Sequence, residues 1–315
     1  RQSGAEILRL WAASSDYAED LRLGPEILKS NVDAYRKLRN TMRYLLGALD
    51  GYSHAEAVEA ADMPELERYI LHRLHETGEA VRRGYESFDF KRAYWALLNF
   101  MTVDLSAFYF DIRKDALYCD PLSSVRRRAC RTLMDRLFHS LTAWLAPILC
   151  FTMEEAWLSR FGQGSVHLER FPEVDPTWRD EALGEKWDRV REVRRVVTGA
   201  LEIERQVKKT IGSSLEAAPV VHVSDPDLLA ALDGVDLAEI SITSDAKVVA
   251  GEGPAAAFRL DDVAGVAVVS ERARGRKCAR SWKISEDVGA DPEFPDITPR
   301  DAQAVREWQQ LHGHA

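Results

Sequence analysis

The long helical segments in the first two thirds of the chain constrain its fold most strongly. Residues 89–114, DFKRAYWALLNFMTVDLSAFYFDIRK, are apolar nearly all round, and a helix of this kind needs apolar neighbours on every side. We therefore expect this segment to be the central helix of a bundle. Asp104 interrupts its apolar run, and no segment approaches the roughly 20 apolar residues that cross a bilayer.

The segments around it have the one-sided apolar pattern of helices that pack on a core. In residues 31–52, apolar side chains recur at spacings of three and four: Tyr35, Leu38, Met42, Leu45, Leu46 and Leu49. Pro64 and Gly84 bracket a second helix. Pro147 should divide a long helix that begins after Ser123 or Ser124, because proline removes a backbone donor. Gly212 is the predicted end of the last long helix.

Beyond Leu215 the pattern changes from long helices to short elements. APVVHVS and VAGVAVVS are short runs rich in β-branched residues, and DPDLLAALD has the form of a short capped helix. The sequence thus predicts a mainly α fold, a helical bundle followed by a small α+β C-terminal module.

Motifs that carry chemistry are scarce, and we predict no catalytic or metal-binding residue. The chain has no G-x-G-x-x-G, Walker, H-E-x-x-H or G-x-S-x-G motif. Its four cysteines are far apart, and Cys278 has Ser281 where a C-x-x-C pair would need a second thiol. The acidic cluster at Asp16 is expected to cap a turn, and His72 and His75 are expected to face solvent.

The distribution of charge is more informative than the net charge of −9. Basic runs occur at residues 36–43 and 272–283, and the second holds six Lys or Arg and no acid. Arg36, Arg39 and Arg43 fall within about 60° of one another on a helix, away from the centre of its apolar stripe. Such runs are either solvated faces or contacts for a polyanion.

Several blocks of the sequence resemble, in order, the bacterial isoleucyl-tRNA synthetases. These blocks are SGAEILRLWAASSDYAEDLRLGPEILK, DAYRKLRNTMRYLLGAL, NFMTVDLSAFYFDIRKDALYCD, WLAPILCFTMEEAW, SVHLERFP and KKTIGSSLEA, and they span residues 3–217. The resemblance implies a stem-contact segment at residues 1–24 and a helical anticodon-binding domain at 25–214. Residues 215–315 would then be a C-terminal module that resembles a zinc module without its cysteines.

The same resemblance implies that the chain is part of a ligase that joins isoleucine to its tRNA with ATP and Mg²⁺. The catalytic K-M-S-K-S loop and the editing domain would lie upstream, so the chain alone should bind tRNA without activating isoleucine and should hold no cofactor. Isoleucine tRNA is the expected partner, rather than DNA or a membrane. We expect a monomer that acts in the cytoplasm in protein biosynthesis, and, since the chain lacks a starting Met, a piece of something longer.

Two groups of side chains are candidates for tRNA contact, because RNA binding needs cations for phosphates and flat groups on which bases stack. The first group is Arg36, Arg39, Asn40 and Arg43. The second is Arg274, Arg276, Lys277, Arg280 and Trp282. Trp282 could alternatively be a core residue of the small module.

Two other classes of protein fit the residues. One is a helical scaffold or adaptor whose basic runs only keep it soluble, and the other is a free-standing tRNA-binding cofactor of a synthetase. A catalytic domain encoded upstream of Arg1 would favour the synthetase, and a start codon near Arg1 would favour the alternatives.

Overall fold

The structure is a computed structural model that describes residues 4–313. Residues 1–3 of the predicted stem-contact segment and residues 314–315 of the predicted C-terminal module lie outside the described residues. The long helices are α1 (Gly4–Ser14), α2 (Pro25–Ala48), α3 (Glu65–Glu86), α4 (Phe90–Asn99), α5 (Phe110–Cys119), α6 (Val125–Leu145), α7 (Cys150–Phe161) and α8 (Glu181–Glu202). A π-helix, Phe100–Tyr109, joins α4 to α5, and another, Ile203–Lys208, extends α8. Within the described part, no helix is both long and apolar enough to cross a membrane.

The chain divides into two compact units, which are described separately. Unit 1 comprises the residues up to Arg113 together with Val125–Asp180, and unit 2 comprises Lys114–Ser124 and the residues from Glu181 onward. A helical bundle with a small α+β tail is confirmed as the fold class. Residues 181–214, which the sequence analysis places in the helical domain, belong to unit 2. The domain boundaries after residues 24 and 214 stay predictions.

Unit 1 is a bundle in which α3 and α4 approach closely. A Cβ atom on Gly84 would lie 2.9 Å from the backbone nitrogen of Ala93, so this crossing requires glycine. Pro64 directly precedes α3 and Gly84 lies in its last turn, two residues before the helix ends at Glu86, so the predicted positions near the start and the end are confirmed. The predicted break at Pro147 is confirmed, since α6 ends at Leu145 and α7 begins at Cys150.

The most buried helix of unit 1 is α6 rather than the segment at residues 89–114. That segment packs against α1, α2 and α3, but Trp95 and Val103 are exposed. Along α6, nearly every side chain from Ala129 to Leu145 is buried. The burial of α6 could not be predicted from its sequence, because its polar residues are paired inside the protein. Arg131 of α6 contacts Glu56, and Asp135 of α6 accepts from Arg160.

The two histidines of α3 are buried, so the prediction that they face solvent was wrong. His72 and His75 are 4% and 6% exposed. The backbone N–H of Asp180 donates to Nδ1 of His72 over 3.0 Å. Burial lowers the pKa of His72 and outweighs the opposing effect of Glu76, which suits a neutral ring that accepts this bond.

Unit 2 is built on a four-stranded sheet of order β2-β1-β4-β3. The strands are β1 (Val220–Val223), β2 (Lys247–Ala250), β3 (Phe258–Leu260) and β4 (Val263–Val269). β1 is parallel to β2 and antiparallel to β4, and α8 packs on β4. The short helices α9 (Pro226–Ala231) and α10 (Leu237–Ser241) also contact α8. The extension of α8 ends at Lys208, and the next residue, Lys209, has a φ of 54°, so the predicted stop at Gly212 was wrong by a few residues.

The end of unit 2 is a two-stranded hairpin followed by a helix. β5 (Arg276–Lys277) pairs antiparallel with β6 (Ile284–Ser285), and α11 runs from Pro299 to His312. A small apolar cluster joins them: Cys278, Val288, Ile297 and Ala302, with Phe294 and Val305 packed against it.

Candidate nucleic-acid interface

The first candidate surface is the exposed side of α2, which begins with Pro25 at its first turn, a position that suits the fixed φ of proline. Leu38, Met42 and Leu45 are at most 2% exposed, as their spacing predicts. Arg36, Arg39, Asn40 and Arg43 are all exposed on the other side. The three arginines are called the α2 arginine row below.

The α2 arginine row has its charge available to a ligand. Arg36 lies 3.5 Å from Asp33 and Arg39 lies 3.5 Å from Glu155, and all four side chains are at least half exposed. Within residues 4–313, Arg43 makes no ion pair. Exposed pairs of this length contribute only about 0–1 kcal/mol. A phosphate, which arginine can bind with two parallel hydrogen bonds, can therefore replace them at small cost.

The second candidate surface is the loop of the β5–β6 hairpin, residues 278–283, called the hairpin loop below. The N–H of Cys278 donates to the carbonyl of Lys283 over 2.8 Å, and the N–H of Trp282 donates to the carbonyl of Cys278 over 3.0 Å. Gly275 has a φ of 113°, and a Cβ atom there would lie 2.3 Å from the Ser285 carbonyl carbon. This approach requires glycine and holds the base of the hairpin together.

The hairpin presents an aromatic ring beside a cation. Trp282 is 63% exposed, which removes the alternative of a core tryptophan. Nζ of Lys277 lies 5.5 Å from the centre of its ring, within cation–π range. Arg274 is exposed and lines a cleft of about 590 Å³ with Arg272 and Lys247. An exposed indole among cations can stack a base and bind its phosphate.

Two of the predicted contact residues of the hairpin are engaged by the protein itself. Arg276 is exposed and donates to the carbonyl of Pro295. Arg280 turns inward and donates to the carbonyls of Cys119 and Tyr118 over 2.5 and 2.6 Å. It also donates to Oδ1 of Asp301 over 2.9 Å. This geometry favours a structural role for Arg280.

Asp301 lies where the hairpin loop meets α11, and it is fully buried. Thr298 donates to its Oδ2 over 2.6 Å, and the Cys278 thiol lies 3.5 Å from the same oxygen. Burial alone would raise the pKa of Asp301, but the Thr298 hydrogen bond and the charges of Arg300 and Arg280 outweigh it and lower the pKa. The carboxylate is therefore ionised and held by cations.

A zinc ion does not fit this donor set. A zinc module binds its metal with two pairs of ligands, each pair separated by two residues. The pairs with that spacing here are Cys278 with Ser281 and Thr298 with Asp301, and they supply only one thiol. The carboxylate that could serve as a second ligand is bound by arginine. Within the described residues, no group of three or more His, Cys, Asp or Glu could hold a metal ion.

We expect the purified chain to contain no stoichiometric zinc and to keep its melting temperature in strong chelator. A structural zinc normally contributes its binding free energy to folding, so its removal would unfold the module. Elemental analysis and thermal unfolding with and without EDTA make the measurement. One tightly held zinc per chain would contradict this prediction.

The acidic cluster near the N-terminus has the turn-capping role that the sequence predicts. Oδ1 of Asp16 accepts from the N–H of Ala18 over 3.1 Å, and Asp16, Glu19 and Asp20 are exposed. These contacts give the cluster no catalytic geometry.

Comparison with known families identifies the class of protein. Residues 67–219 match the anticodon-binding domain of tRNA ligase. This range begins after α2, near the start of α3. It includes the helices from there through α8 and ends just before β1.

Similarity along nearly the whole chain narrows the class further. The chain is 59% identical to an isoleucine–tRNA ligase of Brucella abortus over 99% of its own length and 32% of that protein. It is 58% identical to the enzyme of Agrobacterium fabrum over 98% and 32%, and 53% identical to that of Bartonella henselae over 98% and 32%. The chain belongs to the isoleucine–tRNA ligase family, and it spans about a third of the length of these relatives.

A solved structure shows a weaker likeness. A LeuRS of Agrobacterium radiobacter K84, in a ternary complex with tRNA and LeuAMS, matches 57% of this chain and 20% of that chain, with a TM-score of 0.43 and 16% sequence identity. A likeness of this extent supports no inference about this chain.

Proposed function

We propose that this chain is the tRNA-binding part of an isoleucine–tRNA ligase and that it contacts the anticodon arm of isoleucine tRNA. The observation that carries the proposal is the α2 arginine row, three exposed guanidinium groups on one side of a helix whose other side is buried. It occurs in a chain that matches such ligases over 99% of its length. Arg274, Lys277 and Trp282 form a second candidate contact for phosphate and base.

The rest of the ligase reaction belongs to other parts of the protein in this proposal. Joining isoleucine to tRNA with ATP and Mg²⁺ would take place in the catalytic domain, and removal of wrongly attached amino acids in the editing domain. The chain itself would act by position, as a monomer in the cytoplasm, since binding one arm of a tRNA orients the rest of the molecule. Its net charge of −9 would confine the attraction for RNA to the basic surfaces.

We expect Arg36→Ala, Arg39→Ala and Arg43→Ala each to weaken binding of isoleucine tRNA. Each lost phosphate contact should reduce the slope of log K against log salt by about 0.7 to 0.9, since one fewer counterion is released. Because the three side chains are exposed, each change should cost less than about 0.5 kcal/mol of stability. The measurement is titration with isoleucine tRNA and a non-cognate tRNA at several salt concentrations.

Arg83→Ala is the matched control. Arg83 is an exposed arginine of the same unit with an i,i+4 partner, Glu79, at 3.6 Å, so the variant removes the same charge from α3 instead of α2. It should bind both RNAs like the unaltered chain. If the three α2 variants also bind both RNAs unchanged, the α2 arginine row is not part of the interface and the hairpin becomes the better candidate.

A further inference from the structure

The break between α6 and α7 needs polar contacts that the two helices do not supply themselves. The first N–H groups of a helix and the last carbonyls of the helix before it lie outside the helical hydrogen-bond ladders. The residue that precedes α7 is Leu149, whose apolar side chain makes no capping hydrogen bond. The backbone groups at the break must therefore find partners elsewhere in unit 1.

These partners come from α1, which lies 138 to 146 residues earlier in the chain. The Glu6 carboxylate accepts from the N–H of Phe151 over 2.8 Å and from that of Thr152 over 3.0 Å. Arg9 donates to the carbonyls of residues 147 and 148 over 2.6 and 2.9 Å. An acid thus meets the N–H groups at the start of α7, and a base meets the carbonyls before it, as the helix dipole favours.

A chain of hydroxyl groups continues from Glu6 to α2. The Thr152 hydroxyl donates to the second carboxylate oxygen of Glu6. The Thr152 oxygen also lies 2.8 Å from the hydroxyl of Tyr35 on α2. Because Thr152 has one hydrogen and gives it to Glu6, Tyr35 is the donor of this second bond. Thr152 is 6% exposed, and hydrogen bonds in a chain strengthen one another where water is excluded.

The Tyr35–Thr152 bond is one of two contacts, one turn apart, that join α2 to α7. The other is the ion pair between Arg39 and Glu155, one turn further along each helix, at 3.5 Å. The hydroxyl bond is short and part-buried, whereas the ion pair is long and at least half exposed. The Tyr35–Thr152 bond, and through it Glu6, therefore helps to fix the distance between Arg39 and Glu155.

That distance decides how readily Arg39 can bind a phosphate. A separation of 3.5 Å is at the long end of hydrogen-bond distances, so RNA can displace Glu155 at small cost. The attraction between two charges rises as their separation falls. If α7 moved closer to α2, Glu155 would hold Arg39 more strongly and compete better with RNA.

We infer that Glu6, Thr152 and Tyr35 are positioning residues for RNA binding, which hold α7 at a spacing that leaves Arg39 available. This inference rests on the proposed function, in which the α2 arginine row binds phosphates. The three side chains carry no positive charge and act through Arg39. The start of the predicted stem-contact segment would thus affect RNA binding through the bundle, without touching RNA.

The test measures binding of isoleucine tRNA by the 315-residue chain and its variants. Tyr35→Phe and Thr152→Val each remove the hydroxyl bond without changing the charge, and both are also made in an Arg39→Ala background. Glu6→Ala removes the whole contact with α7. Glu6→Gln keeps an oxygen that can accept from both N–H groups and an amide that can donate to Thr152.

Tyr44→Phe is the matched control. Tyr44 lies on the same helix as Tyr35, and its hydroxyl donates to the carbonyl of Phe110, at the start of α5, over 3.5 Å. The variant therefore removes a hydroxyl from α2 without touching the contact between α2 and α7. It should bind tRNA like the unaltered chain.

We expect Tyr35→Phe and Thr152→Val each to weaken tRNA binding about fivefold, the equivalent of one hydrogen bond. In the Arg39→Ala background the same changes should have no further effect, because the bond acts through Arg39. Glu6→Ala should weaken binding at least as much, although losing a negative charge would by itself favour RNA. Glu6→Gln should recover most of that loss.

A purely structural role would give a different pattern. The variants would then weaken binding by the same factor with and without Arg39, or Tyr44→Phe would weaken it equally. Either result, or unchanged binding by Tyr35→Phe and Thr152→Val, overturns the inference and leaves the proposed function standing. If the unaltered chain binds no tRNA even at low salt, the proposed function fails and the inference fails with it. Tyr35→Phe keeps the test decisive if Glu6→Ala does not fold.

Discussion

Glu67→Ala should lower the free energy of unfolding of unit 1 by about 3–5 kcal/mol, the usual cost of removing one partner of a buried ion pair. Glu67 is fully buried, and its carboxylate accepts from Nε and Nη2 of Arg113 over 2.6 and 2.8 Å. Tyr109 donates to the same carboxylate over 2.9 Å. Without Glu67, the Arg113 guanidinium, itself 1% exposed, would lose a carboxylate that neutralises its charge. Urea unfolding of the variant and the unaltered chain measures the loss.

A double variant separates the cost of a broken pair from the value of the pair. Glu67→Leu with Arg113→Met replaces both charges by apolar groups of similar size, and such replacements are often neutral or stabilising. We expect it to recover most of the stability that Glu67→Ala loses. If the single variant unfolds at the same urea concentration as the unaltered chain, the pair is not a structural element of the bundle.

The helices could be predicted from sequence wherever one side of a segment is apolar and the other is solvated. The apolar stripe on α2 is of this kind. The break at Pro147 could be predicted for a different reason, because proline removes a backbone donor. Prediction failed where polar side chains are buried with partners far along the chain. His72 accepts from Asp180 and Arg131 contacts Glu56, and neither pairing leaves a periodic signal. The burial of α6 and of the α3 histidines was therefore missed.

The candidate site shows the same limit. The exposure of the α2 arginine row follows from helical periodicity, whereas Arg280 turns inward because of Asp301, which lies twenty-one residues later in the sequence. A cavity of about 380 Å³ in unit 1 likewise depends on residues 46–54, 135–139 and 159–161 meeting in the bundle. No pattern within any one of these segments indicates a cavity. Which of these residues contact RNA stays a prediction.

Asp301→Ala should destabilise the hairpin end of unit 2 by about 3 kcal/mol and make Cys278 react with thiol reagents. The cost is at the low end of the range for a broken buried pair, because Arg280 and Arg300 are about 30% exposed and can partly regain water. The carboxylate joins Arg280 of the hairpin loop to Thr298 and Arg300 at the start of α11. In the unaltered chain Cys278 is fully buried. Thiol labelling under native conditions measures the opening.

The pH dependence of labelling gives a second measurement of the same contact. The pKa of Asp301 is lowered in the fold, so its contribution to stability is complete at neutral pH. That contribution is lost only as the pH falls below the ordinary range of aspartate. The hairpin of the unaltered chain should therefore stay closed throughout the neutral range, whereas Asp301→Ala should be open throughout it.

Asp296→Ala is the matched control for Asp301, since Asp296 is an exposed aspartate of the same segment. It should leave Cys278 as unreactive as in the unaltered chain. Rapid labelling of Cys278 in Asp301→Ala, but not in Asp296→Ala, would show that the Asp301 carboxylate and its two arginines hold the hairpin loop on the start of α11. The buried carboxylate would then have the structural role that a metal ion has in a zinc module. If Cys278 stays protected in Asp301→Ala, the apolar cluster of Cys278, Val288, Ile297 and Ala302 is sufficient to hold the hairpin on α11, and the ion pairs are dispensable.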